Sequence, residues 1–302
     1  MSVTRRSILA GAAAAVLAPP IAAAQAPALI TRPIPSTGEA LPVVGLGTAR
    51  RYETAPTEAE MAPLRETLRR FSALGGKVID TAPSYGEAEA VVGDLTTELR
   101  SRPALFLATK VGADSREDGA AQIEASFRRL RTARIDMIAV HNLRDIDNQL
   151  ATLRALKAAG RIRYVGATTS FDPQYTPFEA MMRREALDVI QVDYALDNRG
   201  AAERIIPLAR DRGMAVMINL PFGRGRLFQA TQNRPLPDWA AEIDCATWAQ
   251  VFLKYLVGHP AVTCVVPGMA QTRYVDDNLA AARGRLPDSA MRTRMEQYID
   301  AL

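Results

Sequence analysis

Four residues of reactive type are candidates for joint chemistry: Asp80, Tyr85, Lys110 and His141. A tyrosine hydroxyl ionises near 10 in water and is a weak acid at neutral pH. A nearby ammonium favours the phenolate and makes the hydroxyl a better proton donor. Lys110 can supply that charge, and a salt bridge from Asp80 can hold it in place. Tyr85 would then protonate a carbonyl oxygen as hydride arrives at the carbonyl carbon, with His141 hydrogen-bonding the same oxygen and orienting the substrate. Each residue alone has a plainer explanation, since Asp–Lys pairs at strand ends and lone histidines are commonly structural. Their meaning depends on whether the fold brings them together.

The chain around them alternates short apolar runs with longer amphipathic ones. A hairpin is expected over Ile34–Val43, with a Thr37-Gly38 turn. Eight strands are then expected, at Val43–Gly47, Val78–Asp80, Leu105–Thr109, Met137–Val140, Tyr164–Ala167, Val189–Val192, Ala215–Ile218 and Thr263–Val266. Helices are expected at Thr57–Leu74, Glu87–Arg100, Asp118–Leu130, Ile146–Ala159, Thr176–Glu185, Ala201–Arg212 and Thr247–Leu256, with two more at Thr272–Ala282 and Asp288–Asp300. A long irregular segment runs from Leu220 to about Asp238. Continuous apolar strands separated by helices are the mark of a parallel sheet covered on both faces. Eight such units in one domain of this length predict a (β/α)₈ TIM barrel. An open doubly wound sheet would begin with a glycine-rich phosphate fingerprint, and Gly45-Leu46-Gly47-Thr48 has no third glycine and no helix directly after it. In a barrel, Asp80, Lys110 and His141 end the neighbouring second, third and fourth strands. Tyr85 lies in the loop after the second, so the four can converge on the C-terminal mouth, where barrel chemistry occurs. His259, before the last strand, belongs to the opposite end and reads as structural.

Residues 1–24 stand apart. Thr4-Arg5-Arg6-Ser7-Ile8-Leu9 leads into an alanine-rich apolar stretch, then Pro19-Pro20 and Ala22-Ala23-Ala24, and no acidic residue precedes Glu39. A basic start, a short apolar middle and small residues at the end describe a secretory signal, and the paired arginines resemble a twin-arginine export signal. The expected location is the periplasm or another exported site, reached through the twin-arginine machinery, or the cytoplasm if the signal is not used. The apolar run is too short for a permanent membrane span. Hydrophobic residues make up 48% and charged residues 23% of the 302, which suits a soluble domain with a large core. The net charge of +4 is spread along amphipathic segments, which argues against nucleic-acid binding. Two histidines and two unclustered cysteines give no metal site. Cys245, in a helical region, and Cys264, in the last strand, read as buried unpaired thiols.

The segment Gly76-Lys77-Val78-Ile79-Asp80-Thr81-Ala82-Pro83-Ser84-Tyr85-Gly86 resembles the signature of the aldo-keto reductases. Ala108-Thr109-Lys110, Ile135-Asp136-Met137, Val140-His141-Asn142 and Leu156–Gly166 extend the resemblance, which runs from about Ile34 to Leu286. It implies hydride transfer between nicotinamide and a carbonyl or alcohol substrate, with Tyr85 as general acid/base and NADP(H) ahead of NAD(H). It also implies a cofactor site. Thr168, Thr169 and Gln191 match the positions that hold the nicotinamide amide. The loop Leu220-Pro221-Phe222-Gly223-Arg224-Gly225-Arg226-Leu227 matches the cover over the pyrophosphate. The stretch from Pro267 and Gly268 through Arg273, Asp277 and Asn278 matches the adenosine-phosphate segment.

Departures from the pattern mark the cofactor side. Thr168-Thr169 replaces the commoner Ser-Asn, and Asn219 stands where the family has a tyrosine under the nicotinamide. Gly268 stands where a lysine is expected. Tyr274, preceded by Arg273, falls on the usual 2′-phosphate arginine. Two other readings compete with reduction. One is a nicotinamide-binding sensor or partner-binding subunit with little catalysis, favoured by Asn219; the other is a lyase that forms a Schiff base on Lys110. Arg50, Arg51 and Tyr52 follow the first strand, where a solvated loop is the simpler reading than a substrate contact.

Overall fold

The computed structural model describes residues 27–53 and 57–302, so the expected export signal at 1–24 lies outside the described residues. The chain opens with an antiparallel hairpin, β1 (Thr31–Pro33) and β2 (Ala40–Pro42). Eight parallel strands follow: β3 (Leu46–Gly47), β4 (Val78–Asp80), β5 (Phe106–Val111), β6 (Ile135–His141), β7 (Ile162–Thr169), β8 (Val189–Asp193), β9 (Ala215–Asn219) and β10 (Cys264–Val265), hydrogen-bonded in chain order. The sheet closes on itself. The Gly45 amide donates to the Val265 carbonyl (2.8 Å), the Val265 amide to Val43 (2.9 Å) and the Gly47 amide to Pro267 (2.8 Å). A Cβ on Gly47 would lie 2.7 Å from the Val266 carbonyl oxygen, so only glycine lets this seam close.

Helices surround the barrel: α1 (Glu58–Ala73), α2 (Ala88–Glu98), α3 (Arg116–Arg129), α4 (Ile146–Ala158), α5 (Tyr175–Arg184), α6 (Ile205–Asp211), α7 (Arg226–Ala230), α8 (Trp248–Val257), α9 (Thr272–Ala280) and α10 (Ser289–Asp300). In α1, Thr57 and Glu60 form a capping box, and Met61, Leu64, Leu68 and Phe71 bury the apolar face. Thr57 is therefore the cap of the expected helix, and Leu74 closes it.

Strand periodicity sorts the side chains. One set, including Val78, Phe106, Ala108, Met137, Tyr164 and Met217, fills the barrel interior. The alternate set, including Ile79, Leu107, Ile138 and Ile190, meets the helices. Replacing Met137 by alanine in this interior should cost about 2–5 kcal/mol. The hairpin plugs the N-terminal end with Ile34 and Leu41, which join the interior set.

Several expected boundaries move. The hairpin strands begin at Thr31, because the Arg32 guanidinium anchors β1 by donating to the carbonyls of Val257, His259 and Val262. The Ile34 amide still donates across the hairpin to the Glu39 carbonyl (2.8 Å), while its own carbonyl accepts the amides of Thr37 and Gly38 in the turn. Pairing of the first barrel strand shrinks to Leu46–Gly47 plus a bridge at Val44. The helix expected from Ala201 is a short 3₁₀ turn followed by α6, and the irregular segment after Leu220 contains α7. Cys245 lies in the connection before α8 rather than in a helix; both cysteines are buried and unpaired. No described helix is long and apolar enough to cross a membrane. Among the described residues, no three His, Cys, Asp or Glu side chains lie close enough to hold a metal ion.

Candidate active site

Strand register sets the site. Lys110 pairs with Ala139, His141 with Thr168, Thr168 with Gln191, and Asp193 with Asn219. Side chains alternate along each strand, so Asp80, Lys110, His141, Thr168, Gln191 and Asn219 share the inner face. All lie near the C-terminal ends of their strands, one rung or more beyond the apolar filling. Thr109 and Thr169, of opposite parity, point outward. The Thr109 hydroxyl donates to Glu89 of α2 (2.6 Å), and that of Thr169 donates to Gln174 (2.6 Å) while accepting the Phe171 amide (3.3 Å).

Lys110 and Asp80 are 2% and 5% exposed. The Lys110 ammonium donates to both carboxylate oxygens of Asp80 (3.0 and 2.9 Å) and to the Thr81 carbonyl (2.8 Å). Asp80 and the Thr81 carbonyl thus hold the ammonium from two sides. Burial works against the Lys110 charge, but Asp80 and then Tyr85 outweigh it, and the pKa stands above its ordinary value. A lysine whose charged form is favoured by Asp80 suits electrostatic support of a proton donor. It opposes the Schiff-base reading, which needs a free amine. The Lys110 Nζ lies 5.1 Å from the centre of the Tyr85 ring, and the His141 ring meets Tyr85 edge-on at 6.5 Å between centroids. Burial lowers the His141 pKa to about 4, with Lys110 and Arg144 adding to the effect and Asp80 opposing it. His141 is therefore neutral at physiological pH and can offer one N–H and one lone pair. The structure brings all four expected catalytic residues together at one side of the mouth.

A second group reaches the same carboxylate. Gln191 donates to Asp80 Oδ1 (2.9 Å) and accepts the Thr168 hydroxyl (3.0 Å). Since β4 and β8 stand four strands apart in the closed barrel, this bond crosses its interior. Asn219, at the end of β9, has a buried Oδ1 with no hydrogen-bond partner, as does the Thr81 hydroxyl beside Lys110. The loops carry backbone strain: Arg50, Asn142, Leu143, Asp145, Leu220 and Arg224 all have positive φ.

The remaining candidate residues divide. Leu220, Pro221, Gly223 and Gly225 form the tight turn above β9, with φ of +56° and +95° at the two glycines. Arg226 is bound to the Asp197 carboxylate (2.8 Å), whereas Arg224 donates only to the Ser170 carbonyl (3.3 Å). Pro267 and Gly268 sit at the seam, where Gly268 and Gly47 bridge. Arg273 lies over the exposed Tyr274 ring and has no carboxylate partner among the described residues. Asp277 faces away from the mouth: its carboxylate accepts Thr247 (2.8 Å) and Gln250 (2.7 Å), securing the start of α8. Asn278 is buried in α9.

Two residues, Thr81 and Asp193, were not singled out from the sequence, and a third, Arg51, was read as part of a solvated loop. Arg51 packs its side chain over Gly268, where a Cβ would lie 3.4 Å from the Arg51 Cγ. Thr81 holds Lys110 through its backbone, which a side-chain motif cannot reveal. Asp193 ends β8 with the same parity as Gln191, a signal that was available. Tyr175 (3.0 Å) and Asn198 (2.9 Å) hold its carboxylate, so it anchors loops.

The family model for the aldo/keto reductase family matches residues 43–298. Methylglyoxal reductase YeaE of Escherichia coli is 29% identical over 259 residues, covering 83% of this chain and 89% of that protein. Aldo-keto reductase YhdN of Bacillus subtilis is 30% identical over 209 residues, covering 64% of this chain and 62% of its own length. An aldo/keto reductase from Klebsiella pneumoniae, solved in complex with NADP and acetate, superposes with a TM-score of 0.74 at 27% identity, covering 87% of this chain and 93% of that one. A closed barrel with an N-terminal hairpin, the four residues at one side of its mouth and a family match across nearly all of the described chain agree: this chain belongs to the aldo/keto reductase family, and with it to the nicotinamide-dependent oxidoreductases.

Proposed function

We propose that the protein reduces small carbonyl compounds, or oxidises the corresponding alcohols, with NADP(H) and with Tyr85 as proton donor and acceptor. The observation that carries this reading is the Lys110 ammonium, locked between Asp80 and Thr81 and directed at Tyr85. The relative named for methylglyoxal reduction favours a short α-oxo aldehyde as substrate.

The residues present fit a nicotinamide dinucleotide. The orphaned Oδ1 of Asn219 is an acceptor awaiting a donor. Arg51, Arg224 and Arg273 have no carboxylate partners among the described residues, which suits phosphate binding. A nicotinamide held between Asn219, Thr168 and Gln191 would supply the hydride for the carbonyl carbon. Tyr85 gives a proton to the carbonyl oxygen, His141 holds that oxygen through a neutral N–H, and Lys110 stabilises the oxygen that Tyr85 leaves charged. Asp80 fixes Lys110 and balances its charge.

Fluorescence titration with NADPH and NADH, followed by a carbonyl panel that includes methylglyoxal, tests the proposal. Binding of NADPH and its oxidation with one equivalent of alcohol formed is the expected result. Binding without oxidation of NADPH by any carbonyl would favour the sensor reading, whose support is Asn219 in place of an aromatic ring.

The twin-arginine-like start supports export of a folded protein that has already bound cofactor in the cytoplasm. Fractionation should find the chain in the periplasm carrying nucleotide, and a periplasmic protein that is consistently empty would overturn this part.

A further inference from the structure

Asp80 carries one more hydrogen bond than its salt bridge to Lys110 requires, and the donor comes from the opposite wall of the barrel. A carboxylate at this site can only accept, so the amide atom that faces it must be nitrogen. The Gln191 oxygen is thereby turned to Thr168, whose hydroxyl donates to it. The four residues form a single directed chain, Thr168 to Gln191 to Asp80 and Lys110 to Asp80. Thr168 and Gln191 are each 1% exposed, and the whole chain is shielded from water. In such surroundings a hydrogen bond to a charged group is strong, and an unmade one is costly.

We propose that Gln191 is a positioning residue for Asp80: it fixes the carboxylate from across the barrel, so that Lys110 stays clamped beside Tyr85. The inference rests on the reductase reading for its catalytic consequence and on geometry alone for the clamp. It also assigns Thr168 a defined part, that of holding the Gln191 amide in the orientation that serves Asp80. Both residues thus link the side of the mouth expected to hold the nicotinamide amide to the residues that move the proton.

The groups that set the charge state around the clamp are few. Asp80 and Tyr85 face Lys110, His141 and Arg144 lie beyond them, and the Cys264 thiol of β10 faces Asp80. Among the described residues, Gln191 and Lys110 are the side-chain donors to the Asp80 carboxylate, and Gln191 is the one that reaches it from across the barrel.

The test uses the full-length protein and the variants Gln191→Leu and Thr168→Val. A buried, hydrogen-bonded ammonium exchanges its protons slowly enough to be seen in ¹⁵Nζ-lysine NMR spectra, with Lys110 assigned by its loss in Lys110→Met. In Gln191→Leu the Lys110 resonance should shift and broaden. At saturating NADPH, kcat should fall roughly tenfold, the change in equilibrium that one charged hydrogen bond produces. Thr168→Val should move the same readouts less, and it carries the test if the leucine variant does not fold. An unchanged Lys110 resonance in both variants overturns the proposal, whatever happens to cofactor affinity. A wild-type protein that turns over no carbonyl would instead defeat the reductase reading and leave the resonance to judge the clamp.

Discussion

Lys110 and Lys254 are both buried, yet they serve opposite ends. Lys110, at the mouth, meets a carboxylate and keeps its charge against the cost of burial. Lys254, in α8, meets only the carbonyls of Ile243 (2.6 Å) and Arg285 (2.8 Å), and burial lowers its pKa. The same contrast separates the two ends of the barrel. At the N-terminal end, Asp136 binds Arg102 (3.0 Å) and Arg163 (2.8 Å), and Glu39 binds Arg163 (2.8 Å) and the Tyr164 hydroxyl (2.5 Å). At the mouth, three arginines lack carboxylates, an amide oxygen lacks a donor and six loop residues hold positive φ. The carboxylates and arginines at the N-terminal end satisfy one another. Groups that serve a ligand are left with capacity to spare, and the surrounding barrel tolerates the cost.

Substitution of the two lysines should separate their roles most sharply. Lys110→Met should lower kcat by about 10²–10⁴-fold, the range for a proton donor and its support. Lys254→Met should leave kcat unchanged and cost about 1–3 kcal/mol in denaturant unfolding, because two buried carbonyls lose their donor. A Lys254 variant of normal stability with impaired kcat would erase the contrast.

Breaking the charge pair from the other side comes next. Asp80→Asn leaves a buried ammonium without its counter-charge and should cost about 3–5 kcal/mol of stability as well as activity. Stability near wild type would mean that the Thr81 carbonyl holds Lys110 without the carboxylate.

The arginines of the mouth make a finer comparison. Arg273→Ala should weaken NADPH binding about tenfold in a fluorescence titration, as loss of a charged hydrogen bond predicts. Arg226→Ala should leave that affinity close to wild type, since Asp197 already neutralises Arg226. Equal losses would show that pairing does not withdraw an arginine from the ligand.

The two histidines differ least in stability and most in function. Burial lowers both pKa values to about 4, from an ordinary 6.5. Between those values the unfolded chain binds protons that the folded protein refuses, so stability rises with pH across the window and is lost as pH falls from about 6.5 to about 4. His259→Gln should lessen that acid-side loss, read as melting temperature against pH, without changing kcat. His141→Gln should lessen it too and also reduce kcat.

The sequence made the barrel legible because βα alternation repeats eight times and buried parallel strands are apolar throughout. It placed Asp80, Lys110 and His141 at strand ends, and the register supplied the convergence. Three features came only with the structure. The Gln191–Asp80 bond joins residues 111 apart in the chain across a closed sheet, which no local pattern encodes. The outward parity of Thr169 was readable in principle, yet a neighbouring pair of threonines invites a joint assignment. Asp277 looked like a ligand residue because of its place in a motif, and only the packing of α9 against α8 shows that Thr247 and Gln250 claim its carboxylate.

The central claim is that Tyr85 gives the proton while its neighbours hold and charge the site. Single-turnover reduction of methylglyoxal by NADPH-loaded Tyr85→Phe tests it most directly. NADPH should still bind, and the rate of its oxidation should fall by about 10²–10⁴-fold. A variant that oxidises NADPH at the wild-type rate would contradict it.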